Sequence, residues 1–220
     1  MPAQPKFAVV LSGCGVYDGA EIHEAVLTLL AIDRHGGTSQ CFAPDRPQLH
    51  VVNHLTGEAT AESRNVLVEA ARIARGAIEP LSAFDAARFD VLIFPGGFGA
   101  AKNLCTFAVA GPECTVDPDT ERAVKAMAQA GKPIGALCIA PALIAKILGQ
   151  GDVTIGSDAG TAQAIEAMGA HHQPTAPTQV VVDRAHKLVT SPCYMLDSSI
   201  AQIADGADNA VRALIDLIER

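Results

Sequence analysis

Residues 90–99 read DVLIFPGGFG: an acidic residue, four apolar positions, then a proline and two adjacent glycines. A short apolar run bounded by Gly and Pro is the pattern of a strand buried on both faces, as in a parallel sheet with helices above and below. Working outward, the pattern recurs at 7–12 (FAVVLS, ended by Gly13), at 38–43 (ended by Pro44) and at 133–137 (PIGAL). Between these runs, apolar residues take helical spacing. Ile22, Val26, Leu29 and Leu30 precede Gly36-Gly37, and Ala123, Ala126, Met127 and Ala130 precede Gly131 and Pro133. Glycine just past the last periodic residue, with proline soon after, is a helix-stop signal. Further helices are expected over 62–75, 139–148 and from Ile200 to Ile218, with weaker strands at 153–155, 180–182 and 187–190. Residues 44–62 and 98–117 are expected as loops. Alternating strand and helix predicts an α/β fold with a mostly parallel sheet covered on both faces, in a single domain spanning 1–220.

The 220 residues are 49% hydrophobic and 18% charged, which excludes a disordered chain or a coiled coil. Net charge is −8 and no basic cluster stands out, so a nucleic-acid backbone has little to hold. Seven Phe, two Tyr and no Trp leave few stacking platforms for bases. The six cysteines show no CxxC spacing and no neighbouring histidine at ligand spacing, so no metal site is expected. No apolar run reaches membrane-spanning length. Free thiols and the lack of a signal-peptide pattern lead to the expectation of a cytoplasmic protein.

Ligands in open α/β sheets bind beyond the carboxyl ends of the strands. Cys138 stands at such an end, in GALCIA (135–140), between a strand and a helix and flanked by small residues. A side chain at the apex of an abrupt strand-to-helix turn projects into the cleft, near the positive end of the following helix, which favours thiolate over thiol. Gly96 and Gly97 follow another strand without side-chain obstruction. Their amides, with that of Ile139, are candidate donors to an oxyanion.

The segments SGCGVYDGAEIHEAVLTLLAIDR (12–34), FAPD (42–45), NHLTGE (53–58), ESRNVLVEAARIARG (62–76), FPGGFGAAKN (94–103) and KPIGALCIAPA (132–142) resemble ElbB-type proteins. These belong to the PfpI-type branch of the class I glutamine-amidotransferase-like superfamily, and the similarity covers nearly the whole chain. The resemblance implies a flavodoxin-like three-layer sandwich, a homodimer, no metal or organic cofactor, and a link to isoprenoid biosynthesis. It also implies glyoxalase activity on a small dicarbonyl, converting glyoxal to glycolate. PfpI-type proteins place a glutamate beside the nucleophile on the helix after the first strand. Counting back from Gly36, Glu24 fits that position best, with Glu21 one turn earlier as the alternative. Many relatives of this type carry His directly after the cysteine, where this chain has Ile139. No His-x-Glu follows near 190–195 either, so glutaminase and protease chemistry are not expected. His23 and His54 could reach the cleft from the family-like segments, and Cys14 lies beyond the first strand. A non-catalytic regulator of the same fold and a protein deglycase stand as rival readings.

Overall fold

A computed structural model describes residues 4–218. In chain order its strands are β1 (Lys6–Val10), β2 (Thr38–Ala43), β3 (Val52–Asn53), β4 (Glu58–Ala59), β5 (Ile78–Pro80), β6 (Val91–Phe94), β7 (Ile134–Leu137), β8 (Asp152–Val153), β9 (His171–His172), β10 (Val181–Asp183) and β11 (Leu188–Ser191). The helices are α1 (Ile22–Arg34), α2 (Val66–Ile73), α3 (Phe98–Lys102), α4 (Phe107–Ala110), α5 (Pro118–Gln129), α6 (Ala140–Leu148), α7 (Ala159–Ala167) and α8 (Ile200–Asp216).

The main sheet has the order β10-β11-β7-β6-β1-β2-β5, and every neighbour pair is parallel except the edge pair β10–β11. The flavodoxin-like sandwich follows from side-chain alternation along its strands. On β1, Ala8 and Val10 enter the layer that contains residues of α5, α6 and α7, while Phe7 and Val9 enter the layer of α1, α2 and α8. On β6, Leu92 and Phe94 take the first side, Val91 and Ile93 the second. This explains why VLIF is apolar throughout: both faces are covered. On β7, a Cβ at Gly135 would lie 2.7 Å from Leu214 Cδ1, so the glycine is what lets α8 close onto the sheet.

The chain runs β1, β2, β5 outward, then returns to lay β6 on the other side of β1. The order reverses between β1 and β6, and a ligand crevice belongs there.

Several local expectations are corrected. The helix expected over 62–75 is α2 alone. Asn65 caps it, its side chain accepting from the Val68 amide at 3.1 Å, and this holds residues 62–64 outside. The expected loop 98–117 contains α3 and α4, and the expected loop 44–62 contains the β3–β4 hairpin. The expected strand at 153–155 contributes only β8, which pairs with β9 outside the main sheet.

In the first core layer, the β2–β5 end of the sheet is packed by an aromatic trio. Phe42 meets Phe84 and Phe89 edge-on, with ring centroids 5.6 and 5.5 Å apart. Phe42 is fully buried, so Phe42→Ala is expected to lower unfolding stability by about 3–5 kcal/mol, read from urea denaturation.

Candidate active site

The four central strand ends converge. β7 ends at Leu137, and Cys138 follows with φ 59°, a left-handed conformation in which a non-glycine residue is strained. Ile139 then caps α6. The turn bends the chain sharply enough to leave the Cys138 thiol inside the crevice, only 7% exposed. The backbone amides of Gly97 and Ile139 lie close enough to favour its charged form.

Glu24 enters from the first turn of α1 and is completely buried. Its Oε2 accepts from the Gly96 amide at 3.0 Å and its Oε1 from the Tyr194 amide at 3.2 Å. The Cys138 side chain adjoins the same carboxyl, both flanking Gly96. Burial, reinforced by the neighbouring charge of Glu21, pushes the Glu24 carboxyl up to about 8, against the pull of these donors.

Glycine is required at both positions after β6. A Cβ on Gly96 would lie 2.3 Å from Cys138 Cβ and 2.7 Å from Glu24 Oε2. Gly97 has φ 94°, and a Cβ there would lie 2.4 Å from the Glu21 amide nitrogen. The Gly96 carbonyl accepts from the Glu21 amide at 2.9 Å, which fastens the glycine turn to the start of α1.

Glu21 acts differently from Glu24. Its carboxylate accepts the Glu24 amide at 2.7 Å and caps α1. Gly96 also departs from expectation, because its amide is committed to Glu24 and is not free for an oxyanion. The expectation that the turn favours thiolate is corrected as well. Burial and the nearby Glu24 charge hold the Cys138 thiol well above its ordinary value, outweighing the two amides. His54 stands away from the thiol: its Nδ1 meets Val52 O at 3.0 Å and its Nε2 accepts from the Tyr17 amide at 3.2 Å, bracing the turn after β1. Cys14 is half-buried, with Glu69, Arg72 and Asp18 as its charged neighbours. His23 lies at the rim, its Nδ1 2.9 Å from the Tyr194 hydroxyl.

Two site neighbours carry no sequence signal. Tyr194 supplies an amide to Glu24, and Cys193 follows two residues after Ser191, whose carbonyl accepts the Cys138 amide at 2.9 Å. Both arrive from the turn after β11, and nothing in TSPCYM (190–195) marks them. Among the described residues no group of three or more His, Cys, Asp or Glu is placed to hold a metal ion, and no helix is long and apolar enough to cross a membrane.

The site thus sets a strained cysteine between β7 and α6 beside a buried glutamate from α1. No family model matches the chain, but individual proteins do. It is 50% identical over 222 residues to the human glutamine amidotransferase-like class 1 domain-containing protein 3, mitochondrial, covering 96% of this chain and 83% of that one. It is 48% identical over 222 residues to the rat ES1 protein homolog, mitochondrial, covering 96% and 84%. The chain belongs to this glutamine amidotransferase-like class 1 family. Among solved structures, an isoprenoid biosynthesis protein with an amidotransferase-like domain from Ehrlichia chaffeensis superposes with a TM-score of 0.89 at 36% identity, over 96% of this chain and 99% of that one. The fold is also shared with glyoxalase III from Candida albicans, at a TM-score of 0.63 and 15% identity over 98% of each chain.

The cytoplasmic expectation is overturned by these names: the human, rat and zebrafish relatives are all mitochondrial proteins. Free thiols persist in any reducing compartment, so they could not discriminate between the two.

Glu24 sets a pH signature. Its folded-state value of about 8 lies above the unfolded 4.5, so the folded chain keeps a proton that the unfolded chain releases. Stability is therefore expected to fall by about 1.4 kcal/mol per pH unit from this group as pH rises between those two values, and to level off above. Thermal melts from pH 5 to 9 check it: the slope should be absent in Glu24→Gln.

Proposed function

We propose that the chain is a cofactor-independent glyoxalase of the ElbB type, acting on glyoxal through Cys138. One observation carries the reading: a fully buried carboxyl, raised to about 8, set against the Cys138 side chain at the end of β7. A carboxyl in that range can both take and return protons near neutral pH.

In the first step the Cys138 sulfur bonds to one aldehyde carbon while Glu24 takes the thiol proton. The Gly97 and Ile139 amides, which flank Cys138, are assigned to hold the oxygen that becomes negative. Return of the proton gives a hemithioacetal. Glu24 then removes the hydrogen from the sulfur-bearing carbon, forming an enediol, and delivers a proton to the second carbon. The first carbon is thereby oxidised to a thioester and the second reduced to an alcohol. Water cleaves the thioester, releasing glycolate and the thiol. Glyoxal plus water balances glycolic acid, so no external oxidant or reductant is needed.

In this reading Glu21 positions α1, and Gly96 clears space while holding Glu24. The homodimer belongs to the same reading: Ile22, Val26 and Leu30 are exposed along α1 and offer it an apolar surface.

Steady-state rates with glyoxal and methylglyoxal, in buffer free of amines and thiols, test the proposal. Wild type should release glycolate from glyoxal, Cys138→Ala should not, and Glu24→Gln should lose about 10²–10⁴ in kcat. No turnover by wild type would leave a binding protein of this fold, and turnover only when amines or thiols are present would indicate a deglycase. Ammonia release from glutamine should be absent, because Ile139 follows the cysteine and His23 bonds the Tyr194 hydroxyl.

A further inference from the structure

Tyr194 touches α1 twice. Its amide donates to Glu24 Oε1 at 3.2 Å inside the site, and its hydroxyl lies 2.9 Å from His23 Nδ1 at the rim. The two rings meet tilted, with centroids 5.9 Å apart. Consecutive helix residues point about 100° apart, so Glu24 is buried while His23 is exposed. One residue from the turn after β11 thus grips both sides of the first turn of α1. That turn is thinly held. Cys193–Met195 is short, and Cys193 enters it left-handed at φ 43°, a strained conformation for a residue other than glycine. The Met195 amide donates to Pro192 O at 2.9 Å and the Leu196 amide to Cys193 O at 3.2 Å, bonds that close the turn locally without fixing it to α1. The other amide on the carboxyl, that of Gly96, is fastened differently: the Gly96 carbonyl accepts from the Glu21 amide of α1 at 2.9 Å. For the Tyr194 amide, the phenol's bond to His23 plays that part.

We propose that Tyr194 is a positioning residue for Glu24: its phenol, latched to His23 across the rim of the crevice, holds its own amide on the Glu24 carboxyl. Burial is what raises this carboxyl, and the Tyr194 amide is the largest pull against it. With the latch removed the amide withdraws, the charged form loses a donor, and the carboxyl keeps its proton to higher pH. Glu21 from the same turn, Cys138 after β7, and Cys193 and Tyr194 after β11 are the titratable groups whose charge bears on Glu24. Replacing the phenol by a phenyl ring leaves Glu21, Cys138 and Cys193 in place. This role deepens the proposed function, resting on Glu24 as the group that moves protons, but its first measurement needs no turnover.

In that measurement the full-length protein carries glutamate labelled with carbon-13 at the side-chain carboxyl. The Glu24 resonance is assigned by its loss in Glu24→Gln and followed from pH 5 to 10. Tyr194→Phe and His23→Ala should each raise its midpoint by about one pH unit. The double variant should raise it no further, because both changes remove the same bond. His23→Asn keeps an acceptor near the place of Nδ1 and should hold the wild-type midpoint. With glyoxal as substrate, the acidic limb of the kcat/KM profile should move to higher pH by the same amount. A midpoint unmoved in either single variant would overturn the proposal, even where stability falls, as would shifts that add in the double variant. His23 is exposed, so its variants decide the matter even if Tyr194→Phe folds poorly. A midpoint that moves as stated in a protein without glyoxal turnover would remove the glyoxalase reading and leave the positioning role standing.

Discussion

Glu24 brings an ionisable carboxyl to a place without solvent, and the surrounding structure is arranged around that burial. An unpaired buried carboxylate is costly, and in practice such a group takes up a proton or gathers donors. Here it does both. Two strand ends supply one amide each, from Gly96 after β6 and Tyr194 after β11, and a third strand end supplies the Cys138 thiol. Each of these partners belongs to a different βα or β-turn junction, so the carboxyl ties together the C-terminal ends of β6, β7 and β11 from the first turn of α1. Carboxylate and thiolate at such proximity cannot both be charged, and the pair titrates as a unit. The glycine pair at 96–97 exists for the same reason, since a side chain at either position would occupy the space of the carboxyl, of Cys138 or of the helix start.

Much of this was legible in the amino-acid sequence because buried parallel strands leave a strong local mark. FAVVLS, DVLIF and PIGAL are apolar on both faces and end in Gly, Pro or Cys, so the central sheet and its three turns could be placed without coordinates. The edge was less visible. β5 is three residues long, half-buried and ends in Pro80, and α7 buries only Ile165, so neither shows a full apolar period. The α3–α4 segment hid in a stretch rich in glycine and alanine. Within the site, Cys138, Glu24 and Gly97 were recoverable from turn chemistry and resemblance. Cys193 and Tyr194 were not, because their place is set by the pairing of β11 with β7, a tertiary event without local signature. The thiol's electrostatics were misread for a related reason: helix position is a sequence property, while full burial beside a carboxyl is a property of the folded interior.

Relatives and fold lead to one question, what a lone cysteine–glutamate pair can do without a histidine. Acyl transfer from an amide needs a base that also protonates the leaving amine. Isomerisation of a dicarbonyl needs less, because one carboxyl can move a proton between adjacent carbons and the leaving group is a thiolate. The pair found here suits the second kind of chemistry better than the first, even though the family takes its name from the first.

The hydrogen bond from Tyr194 to Glu24 joins residues separated by 170 positions. Contacts of such separation form late, since the entropy of closing the intervening chain must be met before they contribute. During synthesis, α1 and the β6 turn are therefore in place long before the C-terminal strand emerges to complete the carboxyl's shell. Until β11 docks beside β7, Glu24 lacks one of its donors and Cys138 lacks its cover. The Cys138 thiol is thus most exposed to adventitious chemistry in the nascent and partly unfolded chain, and becomes sheltered only when the last strand and α8 arrive.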